Sequence, residues 1–216
     1  MPILKKKIIE LYKEHGILTH LYIKIKLKIC PFLKIETFFP KKGKFIDLGC
    51  GNGLFANILK LKSPDREIFG FDLDEKKIRA AQKTQKERSH IKFQRGNIIE
   101  MDYPEGNVFS LIDVLYLIPP DKQEIILEKS YSALEKRGFL IIKEMDTKPF
   151  WKYLWNLIQE TAAVKIIGLT LGGKFYFRSR KEYLQILNEL GFKVSLVRLH
   201  KGYWYPHIIY VCEKLQ

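Results

Sequence analysis

The stretch Asp47-Leu48-Gly49-Cys50-Gly51-Asn52-Gly53 places three glycines two residues apart behind a carboxylate. Glycines at that spacing let the backbone turn sharply and let a ligand approach where a Cβ would block it. An apolar run at 45–48 precedes the turn, and 54–61 reads as a helix after it. A helix start presents unpaired N–H groups to an electron-rich or anionic group. A second acid, Asp72, closes the next apolar run at 67–71. A carboxylate at such a strand end can accept two hydrogen bonds from a ribose diol. Two ligand classes fit so far. The dinucleotide fingerprint is G-x-G-x-x-G, whereas the spacing here is G-x-G-x-G with an acid two residues ahead. That acid repels a pyrophosphate and suits a ligand carrying an amine or a sulfonium.

These groups can act together only if strand ends bring them to one edge. From residue 44 the chain alternates strands, at 45–48, 67–71, 91–94, 108–115 and 139–143, with helices at 54–61, 74–86 and 122–135. Such alternation predicts a doubly wound α/β fold with a mostly parallel sheet and right-handed crossovers. A helix at 179–190 and strands at 192–199 and 207–213 follow, joined by a tight 202–206 turn. They predict an antiparallel hairpin at the edge of a seven-stranded sheet. Before residue 44, Leu4, Ile8, Leu11, His15 and Leu18 mark a helix over 3–18 that Gly16 interrupts. Residues 18–29 satisfy two periods. Ile23, Ile25, Leu27 and Ile29 alternate with lysines as in a strand, and Leu18, Leu21, Tyr22, Ile25 and Ile29 share a helix face. Helix is favoured, because it continues a two-helix cap. Residues 1–43 are thus expected to form a basic helical cap and 44–216 the main domain. The stretch 147–178 breaks the rhythm and is expected to be an inserted lid.

With 216 residues, 46% of them hydrophobic and 29% charged, the chain can bury a core, and a disordered chain is excluded. Three cysteines (Cys30, Cys50, Cys212) are too few and scattered for a disulfide framework, so a cytoplasmic setting is expected. The five histidines show no metal spacing, and no metal site is expected. No apolar run is long enough to span a membrane, and no signal peptide is expected. The net charge is +14. Residues 1–44 hold 11 Lys and 3 Glu, which is +8 of that total. Such charge attracts polyanions: nucleic acid, an anionic membrane face or a phosphorylated substrate.

The segment 47–53 resembles the first motif of class I S-adenosylmethionine-dependent methyltransferases. Phe69-Gly70-Phe71-Asp72-Leu73-Asp74 is similar to the family's second motif, and Phe93-Gln94-Arg95-Gly96-Asn97-Ile98 to its adenine-contacting segment. Asp113-Val114-Leu115-Tyr116-Leu117-Ile118-Pro119 resembles the fourth-strand motif of the small-molecule members, and 134–142 the approach to strand five. Five motifs in order are a far stronger signal than one glycine loop. The resemblance implies S-adenosylmethionine as cofactor. Asp47 would hold its methionine end, Gly49, Cys50, Gly51 and Gly53 the carboxylate side, and Asp72 the ribose. Leu73 and Ile98 would sandwich the adenine, Asn97 would meet its amine, and Asp113 joins the set from strand four. Methyl transfer by in-line displacement would then depend mainly on orientation and exclusion of water.

No Asn/Asp-Pro-Pro-Tyr/Phe motif stands at strand four, which weighs against methylation of nucleobase amino groups. Tyr116, Glu144, Asp146, His200 and His207 are candidate bases by sheet-edge or late-strand position. The basic cap and the aromatic 147–178 insertion point to a small, lipophilic or membrane-associated acceptor. An anionic membrane surface is the expected partner, with a peripheral location at the inner membrane face. Two alternatives stand beside this: an RNA methyltransferase using the basic surface, and a non-catalytic S-adenosylmethionine-binding protein. An NAD-dependent oxidoreductase is opposed by the glycine spacing.

Overall fold

The computed structural model describes residues 2–85, 90–146, 175–199 and 202–215. Most of the predicted lid, 147–174, and His200 lie outside the described residues. The described strands form one sheet: β1 Gly43–Leu48, β2 Arg66–Asp72, β3 Ile91–Arg95, β4 Gly106–Ile112, β5 Leu134–Met145, β6 Phe192–Arg198 and β7 His207–Lys214. Their order is β3-β2-β1-β4-β5-β7-β6. The first five run parallel, and β7 is antiparallel to both its neighbours. The expected seven-stranded, doubly wound α/β sheet is present, with β7 slotted between β5 and β6.

The helices are α1 Pro2–Leu11, α2 Ile17–Ile29, α3 Phe32–Ile35, α4 Leu54–Lys62, α5 Glu75–Lys83, α6 Pro120–Ala133 and α7 Arg180–Glu189. Strand alternation sends Phe45, Ile68, Val108 and Ile141 to one face, where they pack with Ile8, Ile23, Ile35 and Phe55 of the helices. It sends Ile46, Leu48, Phe109 and Ile142 to the other, against Leu127 of α6 and Leu187 of α7. The N-terminal helices therefore share a core with the sheet. Chain order reverses between β1 and β4. The carboxyl ends of these two strands are the place where an open α/β sheet forms its binding crevice.

Tertiary burial decided the elements that pattern left open. Residues 18–29 are helical because Ile23 and Leu27, one turn apart, are buried against the core. The predicted 3–18 helix divides: α1 stops at Leu11, and Gly16, at φ 82°, separates it from α2. β4 ends at Ile112 rather than 115, because Asp113 takes a left-handed φ of 60° and a single 3-10 turn, Leu115–Leu117, follows. β5 starts five residues earlier than predicted, because Leu134 is buried opposite Gly106 across a bulge.

Candidate functional site

Both Gly49 and Cys50 donate backbone N–H groups to the Phe71 carbonyl (2.7 and 3.0 Å), which ties the turn after β1 to the end of β2. All three glycines hold positive φ: 74° at Gly49, 54° at Gly51 and 73° at Gly53. Their surroundings differ. A Cβ on Gly49 would lie 2.5 Å from a Val114 methyl, and one on Gly53 2.5 Å from the Phe93 ring. A Cβ on Gly51 would meet nothing within 4 Å. Packing thus requires two of the glycines, and the third opens onto free space. Cys50 is buried in the turn, and burial pushes its thiol well above the ordinary range, which makes it a filler rather than a nucleophile.

Two acids bracket this turn. Asp47 is 2% exposed, and its Oδ1 accepts the Ser110 hydroxyl (2.6 Å) from the residue opposite it on β4. Its Oδ2 is buried without a hydrogen-bond partner among the described residues. Burial raises its carboxyl to about 7; the Ser110 hydroxyl opposes the shift and the Asp72 charge adds to it. Asp72 is held by two backbone amides, Gly51 N–H on Oδ2 (2.8 Å) and Asp74 N–H on Oδ1 (2.9 Å). A carboxylate has about four acceptor positions, so each oxygen keeps one. Beside it Leu73 is 47% exposed, an apolar side chain next to the open turn. Ile98 is buried, and the Asn97 carboxamide oxygen accepts the Ile99 N–H (3.1 Å), which shapes the loop after β3.

The N-terminal helices reach the same edge. Tyr12, just after α1, donates its hydroxyl to the Asn52 carbonyl in the glycine turn (2.9 Å) and accepts from Asn57 (3.2 Å). Sequence reasoning missed this residue. The available signal was a polar-tipped side chain one turn beyond Ile8 on the buried stripe. His15 is bound from the same side to the Ala80 carbonyl (2.9 Å).

Further groups gather at the ends of β4, β5 and β7, on both faces of the sheet. Asp113 stands at the expected strand end, but its carboxylate is committed. It pairs with the fully buried Lys143, and Lys26 of α2 approaches at 3.7 Å. Burial raises its pKa, but the two ammonium groups outweigh burial and hold it at about 2. His207 lies on the same face, with Nε2 2.9 Å from the Ile29 carbonyl. A carbonyl only accepts, so Nε2 carries the proton and Nδ1 is a bare lone pair, buried without a partner among the described residues. Burial and the Lys143 charge press the ring down to about 3, so it is neutral.

On the opposite face Glu144 is buried and accepts the Leu115 N–H (3.0 Å). Burial, then the Asp113 charge, raise it to about 8. Tyr116 is buried and stacked on Phe177, with centroids 5.1 Å apart and planes 9° apart, and Phe175 lies 5.9 Å away. Asp146 is bound by both oxygens to Arg180 (2.8 and 3.2 Å), which makes it a structural carboxylate rather than a base. Among the described residues the candidate bases therefore do not converge. His207 belongs to the lysine side of the sheet, and Glu144 and Tyr116 to the other.

A family model described as a methyltransferase domain matches residues 40–191. Carboxy-S-adenosyl-L-methionine synthase of Helicobacter pylori strain P12 is 31% identical over 113 residues, covering 50% of this chain and 46% of that protein. The same-named protein of Campylobacter hominis is 34% identical over 105 residues, covering 48% and 45%. The chain thus spans less than half the length of these curated relatives. Among solved structures, magnesium protoporphyrin IX methyltransferase of Synechocystis PCC 6803, with bound SAH, superposes at a TM-score of 0.70 with 18% identity, covering 95% of this chain and 91% of that one. An O-methyltransferase family protein of Burkholderia thailandensis gives 0.70 with 14% identity, covering 89% and 57%. These structural likenesses concern the fold.

Proposed function

The chain belongs to the class I S-adenosylmethionine-dependent methyltransferases, and from that membership we propose that its acceptor is a small molecule with an apolar body and an anionic group. S-adenosylmethionine is the cofactor, and it supplies a methyl group activated by the positive charge on sulfur. The residues at the strand ends suit it. The orphaned Oδ2 of Asp47 is a buried acceptor in want of a cation, Gly51 leaves room for a ligand, and Asp72 retains acceptor positions for a diol. Leu73 offers an apolar surface to a flat ring. The protein contributes orientation and a dry cleft.

The observation that carries the acceptor reading is the make-up of the end of β4. An aromatic wall of Tyr116, Phe177 and Phe175 lies to one side. On the other, Lys143 and Lys26 converge on Asp113. The wall suits an apolar body; Lys143 is buried against Asp113, and the partly exposed Lys26 is the ammonium placed to meet an anion. Where the acceptor must lose a proton, His207 is too weakly basic, and Glu144 changes protonation in the range useful to a general base.

Incubating the protein and labelled S-adenosylmethionine with lipid, metabolite and RNA extracts tests this reading. The expected product is a small organic anion that has gained one CH2. Label found only in RNA overturns it. So does a carboxylated form of the cofactor itself, the product that the curated relatives' name describes.

A pH dependence follows from Asp47. The carboxyl is half protonated near pH 7 in the free protein, and a cationic ligand beside it favours the ionised form. Binding S-adenosylmethionine therefore releases a proton as the pH falls through about 7. Below that point calorimetric affinity declines by up to about tenfold per pH unit. Asp47→Asn binds more weakly at neutral pH and flattens the profile. An unchanged slope in the variant would remove Asp47 from the cofactor contacts.

A further inference from the structure

We propose that the outward face of α2 seats the protein on an anionic lipid bilayer. α2 buries Ile23 and Leu27 against the core, yet an equally apolar stripe faces away from it. Ile17 is 86% exposed, Leu18 81%, Leu21 51% and Ile25 48%. The helical repeat aligns 17, 21 and 25 in one row, with 18 beside it. Lys24 and Lys28 are exposed in the neighbouring row on the same face. An ordinary surface helix places polar residues there, and clustered aliphatics on a soluble surface mark an interaction site.

Charge and shape together select the partner. Residues 1–44 carry a net +8, which draws the helix to a polyanion. RNA and an anionic bilayer both satisfy that charge, but RNA recognition rests on phosphate contacts and on stacking, not on projecting aliphatic chains. A bilayer interface accepts both, with the aliphatic row buried at the acyl boundary and lysines reaching the headgroups. No helix of the described residues is long and apolar enough to cross a membrane, so α2 would lie in the interfacial plane. The turn carrying Trp204, which is 71% exposed, is fastened to the end of α2 through the bond between His207 and the Ile29 carbonyl. An exposed tryptophan there is the side chain that interfaces favour.

The same helix is joined to the cleft, because Lys26 on its inner side approaches Asp113, and Tyr12, in the segment between α1 and α2, touches the glycine turn. Seating α2 on lipid brings the strand ends next to the phase where a lipophilic acceptor dissolves. The purpose of docking rests on the transfer reading, but docking itself is measured without an acceptor.

Sedimentation with phosphatidylcholine vesicles, with and without phosphatidylglycerol, tests the proposal on the full chain. Strong binding is expected only to the anionic vesicles, weakening as salt rises. Leu21→Asn/Ile25→Asn is expected to lower partitioning by about tenfold or more with circular dichroism unchanged, since both side chains are already half exposed. Lys24→Gln/Lys28→Gln is expected to weaken binding and flatten its salt dependence. The proposal is overturned if the wild type ignores anionic vesicles, or if the aliphatic variant partitions as the wild type does. It is overturned in favour of nucleic acid if only polyuridylate binds and only the lysine variant impairs that binding. Vesicle binding without a calorimetric signal from S-adenosylmethionine would leave docking intact and remove the transfer reading instead.

Discussion

Gly51→Arg abolishes S-adenosylmethionine binding while the protein stays folded. Gly51 sits at φ 54°, and the direction of its missing Cβ is empty to 4 Å. A Cβ there meets no atom within 4 Å, so the folding cost of the first side-chain atom is the left-handed backbone, about 1–2 kcal/mol. The same side chain fills the space the cofactor needs and adds bulk where Asp72 receives the Gly51 N–H. Gly53→Ala makes the opposite case. Its methyl would lie 2.5 Å from the Phe93 ring and 3.0 Å from the Ala81 Cβ. Overpacking adds about 1–3 kcal/mol to the backbone cost. Calorimetry and thermal unfolding separate the two. Gly51→Arg loses the binding signal with a melting point lowered by only a few degrees, whereas Gly53→Ala loses stability first. If Gly51→Arg binds S-adenosylmethionine with wild-type affinity, the ligand does not occupy this turn.

That contrast shows what local sequence can and cannot reveal. The glycine turn and the position of Asp72 were legible because their conformation depends on neighbours in the chain: spacing, a preceding strand and a following helix. The division of labour among the glycines was not legible, because Val114, after β4, and Phe93, within β3, reach them from elsewhere in the chain. Ser110 beside Asp47 follows from the β1–β4 register, which no pattern within β1 encodes. The same holds for Asp113. Its place at a strand end was readable, but its commitment to Lys143 and Lys26 joins three segments that only the fold brings together. In α2 the alternating lysines satisfied two periods at once. Burial of Ile23 and Leu27 selected the helix and left the aliphatic row outside.

The largest expected loss of stability lies far from the cleft, at Arg66. Its side chain is fully buried at the start of β2 and meets Glu36, also fully buried, at 2.9 Å. It further donates to the carbonyls of Pro40 (2.7 Å), Leu59 (2.8 Å) and Phe39 (3.1 Å). One guanidinium thus ties the segment after α3 to α4 and the sheet. Arg66→Met strands the Glu36 carboxylate and three carbonyls, an expected cost of about 3–5 kcal/mol. Lys41 at 3.3 Å and Lys62 at 3.9 Å do not replace it, because both reach in from solvent and such contacts contribute little. Arg66→Met/Glu36→Leu should recover much of the loss, since two apolar side chains carry no charge to desolvate. Urea denaturation measures both variants. Hydrogen exchange over 17–29 then reports whether loosening this tie frees α2, and with it the Tyr12 contact on the glycine turn. A single variant as stable as the wild type would show that apolar packing alone, from Phe32 to Phe55 and Phe39 to Phe45, holds the N-terminal helices over the cleft.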